Sequence, residues 1–501
     1  MRTRQLFVIG VVMVLALAAC GQKPGIHIAG ANNGFAGGGD NTGTGTGDNG
    51  TGNAGGGTGT GNTVGSGSGT TGGTTDGGAT GGGTVASGPG DRTGITPTTI
   101  TIGIHAPTSG AAPIKAESFQ VGKDLYWNWL KHQGKKTIGR DVKVLFRDDH
   151  YDPQTAATVC SDMAESGKAF LLIGAAGADQ INVCSRYSNA RGIPYLSAGV
   201  TEIGTGTRQT YFALTMSYPK QQFLLAQYIK KLGGGEDRIS DMNGLGNAGS
   251  DGRIKIAFVR PDTPNFNDAE DALSTAIKQL GGKYQVKPFT ISKDENPQDA
   301  PGIAQRIKQY GADIISVITA PVFTLSLSKA TVGQQYRPRY MGVGITNAIN
   351  QAIPQECDNN QFSDPPAMFF SPWPGWSQRN TYDPEFEQAV NLPSSDRGYT
   401  PRAKQLDQRN KGGDLLLALW GIMKDVHEMF EFAGANMSRQ SFVQQTQSFS
   451  THGSSHFFPN LQFTSGNRFG ASEVHALVGR CDSQGGEFIE DPQNAGLRSK
   501  F

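Results

Sequence analysis

From Ile100 onward the chain sets short apolar runs against stretches of helical period, and it does so in two successive series. Ile100, Ile102 and Ile104 alternate with Thr101 and Gly103, the run His105 to Gly110 breaks the strand, and Val121, Leu125 and Trp129 follow at helical spacing. Val142 to Phe146 reads as the next strand, with Asp152 placed to cap a helix and Pro153 to begin it. Phe170 to Ile173 and Ile193 to Leu196 complete four strands separated by helices, which predicts a parallel sheet. A helix near Lys220 to Leu232 and a polar, glycine-rich loop from 233 to 252 come before the second series. Its strands are expected at 254–259, 286–289, 314–318 and 340–343, with helices near 269–280, 303–310 and 323–331. The remainder is less regular: a strand at Met368 to Phe370, helices at 414–432 and 438–449, and short strands near Gln462 and Phe488. Two such open sheets predict an α/β clamshell of two lobes, with ligands outside the carboxyl ends of the strands, between the lobes.

The chain ahead of this pattern cannot pack. Residues 31 to 90 hold 26 glycines, with Phe35, Val64 and Val85 as the only large apolar side chains. Such a segment cannot offset its ordering entropy. As a coil of 60 residues it spans about 45 Å, so it reads as a tether. Before it, Arg2 and Arg4 precede an apolar run from Leu6 to Ala19, too short to span a bilayer and shaped like a secretory signal. The ending Leu17-Ala18-Ala19-Cys20-Gly21 resembles the lipobox of bacterial lipoproteins, which implies cleavage after residue 19 and lipidation of Cys20. An ordinary signal that happens to precede a cysteine is the alternative. Residues 1–19 are thus expected to be a signal peptide, 20–95 a lipidated cysteine and tether, and the protein to lie outside the cytoplasm, held to the membrane through Cys20.

Besides Cys20 there are four cysteines, Cys160, Cys184, Cys357 and Cys481. An even number in an exported chain favours two disulfides. Three pairings are possible in principle. The consecutive helices carrying Cys160 and Cys184 favour pairing these two, which leaves Cys357 with Cys481. No closely spaced cysteine or histidine pair suggests zinc, and the turn Asp148 to Asp152 lacks the ligand spacing of a calcium loop, so no metal and no cofactor is expected. The Gly-x-Gly-x-x-Gly matches at Gly45 and Gly244 lie in the tether and ahead of a strand, where no helix N-terminus can meet a pyrophosphate. A formal charge of +1 at pH 7 without a basic cluster argues against nucleic acid. Neither a Gly-x-Ser-x-Gly elbow nor a His-Glu-x-x-His helix is present, so catalysis has no support in the motifs.

The order of motifs resembles the type I periplasmic solute-binding proteins of ABC importers, in the branch of Leu/Ile/Val- and amide-binding receptors. The residues that carry the resemblance are Ile100 to Ile104 with Thr108-Ser109-Gly110, Arg147 to Pro153, Ile173-Gly174 and Gly192 to Ser197. In the second series they are Ile256 to Val259, Gly311 to Ile315 and Tyr340-Met341-Gly342. The resemblance covers roughly residues 97 to 490 and implies a two-lobed periplasmic-binding-protein-like I clamshell, each lobe a mainly parallel sheet with helices on both faces. The first lobe would comprise 96–217 and 347–455, the second 218–346 and 456–501, with hinge crossings near residue 217, within 347–367 and near residue 456. It also implies capture of a small polar solute, an amino acid, amide or related compound, by lobe closure, and its delivery to an ABC permease. A monomer is expected.

By position, the ligand would meet Ser109, the turn Gly177-Ala178-Asp179, Gly199 and Thr201 from the first lobe. The second lobe would supply Phe266, Thr319 and Ala320, and Trp373 would line the cleft near a hinge. Backbone N–H groups at such turns are ready anion donors. Two departures bear on specificity. Amino-acid-binding members carry an acid shortly after the strand ending at Gly342, whereas this chain continues Val343-Gly344-Ile345-Thr346, with Thr346 counted among the expected contacts. The family's hydroxyl in the third-strand turn is replaced by Ala178. Each position also has a structural reading: Ser109 in a turn, Thr201 or Asp179 as a helix cap, Phe266 and Trp373 in packing. A lipoprotein that senses a ligand with the same clamshell, without transport, is the alternative function, and a surface hydrolase is a third reading.

Overall fold

The computed structural model describes residues 90–233, 252–344, 362, 366–392, 413–451, 457–482 and 485–490. Within them the chain forms two sheets. The first is five-stranded and parallel, from β1 (Thr99–Ala106), β2 (Asp141–Asp148), β3 (Leu171–Gly174), β4 (Tyr195–Ser197) and β5 (Tyr211–Ala213), in the order β2-β1-β3-β4-β5. Helices cover both faces: α1 (Ala116–His132), α2 (Pro153–Glu165) and α3 (Ala178–Ala190). β3 and β4 are buried along their whole length, the condition that makes such strands read as unbroken apolar runs. Asp152 caps α2 as expected, its carboxylate accepting from Thr155 N at 2.7 Å, with Pro153 in the first turn.

The second sheet repeats the plan. After α4 (Tyr218–Gly233) come β6 (Ile254–Pro261), α5 (Asn267–Gln279), β7 (Tyr284–Ile291), α6 (Ala300–Tyr310), β8 (Ile314–Val317), α7 (Pro321–Gly333), β9 (Arg339–Gly342) and β10 (Met368–Ser371). The parallel strands run β10-β9-β8-β6-β7, the same winding as the first sheet, and the antiparallel β11 (His475–Asp482) and β12 (Gly485–Glu490) extend it past β10. The fold is therefore the expected α/β clamshell of two mainly parallel sheets.

Three features differ from the sequence reading. β5 and β11 were not anticipated; β5 has only three residues, too few to display a period. The boundary at 347 falls too early, because β10 pairs with β9 and so belongs to the second sheet. The chain returns to the first lobe between Ser371 and Pro384, where α8 (Arg379–Tyr382) leads into α9 (Pro384–Val390), whose Phe386 meets Trp420 edge-on at 5.6 Å. The boundary at 456 also falls too early. Phe463 packs on Phe212 and Phe469 bridges to Ala213 at the edge of the first sheet, so the crossing into β11 comes after Ala471.

α10 (Gly413–Ala433) completes the first lobe by lying against α1. Trp420 meets Tyr126 at 5.0 Å and Trp129 at 5.5 Å, and Asp383, fully buried, accepts from Trp420 Nε1 at 2.9 Å and Lys424 Nζ at 2.8 Å. α11 (Arg439–Thr446) follows, and Arg439 ties it to Asp91 at 2.7 Å. The expected disulfide between Cys160 on α2 and Cys184 on α3 is present. Cys481 is also disulfide-bonded, and Cys357, its expected partner, lies outside the described residues. Cys20, the expected signal, the expected tether as far as residue 89 and Thr346 lie outside them as well, whereas residues 90–95 are described and pack on the first lobe through Asp91.

Candidate ligand-binding cleft

The two sheets present their carboxyl ends to one cleft, of about 510 Å³ including its mouth. The first lobe contributes Pro107 after β1, Tyr151 after β2 and Ala176-Gly177-Ala178 after β3; the second contributes Phe266 after β6, Glu295 after β7 and Thr319-Ala320 after β8. The winding order explains the location: in each sheet the chain departs in opposite directions from its first strand, leaving a crevice beyond that strand's carboxyl end.

Glu295 is the chemical centre of the cleft. Its side chain is buried, one oxygen accepting from the Tyr151 hydroxyl at 2.6 Å and the other from the backbone N–H of Ala320. The Tyr151 bond spans the cleft from one lobe to the other. Burial pushes the Glu295 carboxyl up to about 7, with the nearby acids Asp179 and Asp294 acting in the same direction. Such a group can accept or donate a hydrogen bond near neutral pH. Tyr151 and Glu295 both hold left-handed backbone, at φ 55° and 51°, and so does His150 at 55°. Non-glycine residues held in that region cluster at ligand clamps and switch regions.

The acidic turn before Tyr151 holds this geometry. Asp148 accepts from Thr108 N at 2.9 Å and His150 N at 3.0 Å; Asp149 accepts from Tyr151 N at 3.0 Å and meets His105 Nδ1 at 2.7 Å. The carboxylates are thus engaged in shaping the loop, in keeping with its failure to match a calcium loop. His105, Cys160 and Cys184 lie close enough together to suggest a metal group, but both sulfurs are consumed by the disulfide.

Of the expected contacts, Gly177, Ala178, Phe266, Thr319 and Ala320 line the cleft. Gly177 has φ 83° and starts α3 without a side-chain cap, which leaves the helix's first N–H groups to the cleft. Phe266 stacks on Tyr218 with ring centroids 5.9 Å apart and 14° between planes. Thr319 exchanges a hydrogen bond with Thr324 at 2.7 Å. Trp373 lines a neighbouring apolar chamber in place of the cleft itself.

The other expected contacts among the described residues are engaged elsewhere. Ser109 bonds His150 Nδ1 at 2.5 Å. A Cβ on Gly199 would come within 2.3 Å of the Thr215 carbonyl, so this glycine serves a close backbone approach. Thr201 and Asp179 join the lobes: the Thr201 hydroxyl donates to Asp268 at 2.9 Å, and Asp179 accepts from Thr263 at 3.3 Å and from Asn265. Asp268 also accepts from the backbone of Glu202 at 2.6 Å and Ile203 at 3.3 Å. These bonds describe a closed clamshell.

The sequence reading missed Tyr151, Tyr218 and Glu295. Glu295 lies in the polar run Lys293-Asp294-Glu295-Asn296, where nothing separates a buried acid from its solvated neighbours. Its position just past a strand of the second series is the signal that was available.

Comparisons with known proteins agree with this fold. A family model described as periplasmic binding protein matches residues 99–365. No curated protein matches the sequence at a significant level. Among solved structures, a fatty acid ABC transporter substrate-binding protein from Thermomonospora curvata is 14% identical with a TM-score of 0.60, over 81% of this chain and 95% of that one. A solute-binding protein of an ABC transporter from R. palustris, in complex with 4-hydroxybenzoate, is 16% identical with a TM-score of 0.56, over 80% and 99%. A leucine-binding protein from Thermotoga maritima is 12% identical with a TM-score of 0.54, over 79% and 99%. At these identities the structural likeness speaks for the fold alone. With the family model spanning more than half of the sequence, the chain belongs to the type I periplasmic binding proteins.

Proposed function

We propose that this chain is a lipid-anchored extracytoplasmic receptor that captures a small organic solute by lobe closure and releases it to an ABC permease. The observation that carries the reading is the cleft: strand-end loops of both sheets meet around one cavity, and the Tyr151–Glu295 bond crosses it. A ligand that contacts both lobes stabilises the closed arrangement in proportion to its preference for it. The uncapped start of α3 suits a carboxylate or another anionic oxygen. Glu295 suits a hydroxyl, amide or ammonium beside it. That acid reaches the cleft from the end of β7, and so stands apart from the position after β9 where amino-acid-binding relatives carry theirs. The structural relatives are named for fatty acid, 4-hydroxybenzoate and leucine, all of them carboxylic acids.

The anchor rests on the lipobox resemblance around Cys20 and on the glycine-rich segment that follows it. A Cys20→Ala variant is expected to lose its lipid and leave the membrane fraction; retention of lipid would refute the assignment.

The test of the receptor reading is a thermal-shift screen of the whole chain, disulfides intact, against amino acids, amides, carboxylates, polyamines, nucleosides and sugars. A cognate ligand at a hundred times its Kd adds roughly 2.7 kcal/mol to the folded state. The expected result is a stabilising ligand recovered chemically unchanged. A ligand consumed in the tube would indicate an enzyme, and no stabilisation by any class would contradict the reading.

A further inference from the structure

Beside the polar cleft lies a second, apolar chamber in the first lobe. It is bounded by the ends of β3 and β4, by α10 and by the segments that cross between the lobes, and measures about 580 Å³ including its mouth. Ile173 and Leu214 form its floor, Ala418 and Leu419 its helical wall, Trp373 and Phe458 its hinge side. The side-chain hydroxyls that face it are already committed: Ser197 bonds Tyr211 at 2.9 Å and the Ala198 carbonyl at 2.8 Å, and Thr215 accepts from Gly199 N. Water there would find few of the two to four polar partners it needs, so the lining favours an apolar occupant. The chamber and the cleft share Ile114 and Ala176 as lining, so a molecule whose polar end sits at the α3 turn lies directly beside the chamber.

We infer that the solute carries an apolar arm, an alkyl chain of several carbons, which occupies this chamber while its polar end sits in the cleft between Gly177 and Glu295. The inference rests on the receptor reading and narrows it, setting the ligand apart from small hydrophilic amino acids, amides and sugars. The indole N–H of Trp373, without an acceptor among the described residues, is the polar atom of the chamber left for an oxygen on such an arm.

The test is a titration of the whole chain with straight-chain monocarboxylates from butanoate to dodecanoate, below their micellar concentrations, alongside leucine and 4-hydroxybenzoate. Affinity is expected to rise about fourfold per added methylene until the chamber is full, then level off. Ala418→Leu narrows the chamber and should move the plateau to shorter chains. Leu419→Ala widens it and should move the plateau to longer ones, so the two shifts together exclude a general loss of fold. Leucine or 4-hydroxybenzoate binding with an affinity insensitive to both variants, and no gain with chain length, would overturn the chamber assignment and leave the receptor reading standing. Binding of none of these ligands, with no stabilising solute in the wider screen, would overturn both.

Discussion

Glu295 accepts from one lobe and is anchored in the other, so its protonation state bears directly on how the cleft holds together. Its folded pKa, raised to about 7 from 4.5 by burial, fixes the sign of a pH effect. The unfolded chain gives up this proton more readily than the folded one. The resulting contribution is fully present below about pH 4.5 and is lost as pH rises through about 7. A shift of this size corresponds to roughly 3 kcal/mol. Glu295→Gln can still accept from Ala320 N and can donate to the Tyr151 oxygen, so it keeps the geometry without the titration. Thermal melts of the two proteins from pH 4 to 8 are expected to diverge, the wild type losing stability relative to the variant as pH rises; parallel profiles would show that Glu295 does not titrate in this way. Asp268 is the second residue to remove. Asp268→Ala leaves the Glu202 and Ile203 N–H groups without this acceptor and the Thr201 hydroxyl without its cross-lobe bond. Lost hydrogen bonds to a charged group cost about 1.5–3 kcal/mol, so ligand affinity should fall tenfold or more, read by calorimetric titration; unchanged affinity would place this clasp outside the closure equilibrium. Residues of this kind divide cleanly in their legibility. Gly177, Ala178, Thr319 and Ala320 could be found because their place after a strand is written in the alternation. Tyr151 and Glu295 share that placement after a strand, but what singles them out from their polar neighbours is burial against the opposite lobe.

Among elements, α2 and α3 illustrate what the sequence does specify. Each carries a cysteine on its buried side, and the pairing of Cys160 with Cys184 was legible because consecutive helices of one α/β unit lie side by side. The bond closes a loop 24 residues in sequence separation, for which chain-entropy arguments give roughly 3 kcal/mol. Replacing both cysteines by alanine should lower the unfolding midpoint by several degrees with the cleft intact, so that ligand binding survives well below the midpoint. A midpoint equal to that of the wild type would mean that the surrounding packing alone holds α2 against α3. β5 and the crossing segments show the opposite case. Three residues carry no period, and β11, paired antiparallel between β10 and the edge strand β12, mixes apolar residues with His475, Arg480 and Asp482, so it shows no unbroken apolar run. The place where a chain changes lobes depends on which edge accepts the next strand, which is a tertiary fact. The crossings expected at 347–367 and near 456 therefore lie later, after Ser371 and after Ala471.

At the scale of the molecule, two sheets with the same winding face each other across a cleft, joined by crossing segments and by side-chain bonds that form only when the lobes meet. Tyr151 to Glu295, Thr201 to Asp268 and Asn182 to Asn265 each pair one lobe with the other, the last at 2.5 Å. An equilibrium between open and closed forms follows if these bonds alone are too weak to hold the closed state against its loss of freedom, and a ligand supplies the remainder. The most direct measurement uses spin labels at Gln154 and Gln298, exposed positions that flank the cleft on opposite lobes. Their distance distribution is recorded with and without the solute found by the thermal-shift screen. A receptor that closes on its ligand should pass from a broad or long distribution to a single short one at saturation. An unchanged distribution at full ligand occupancy would contradict capture by closure.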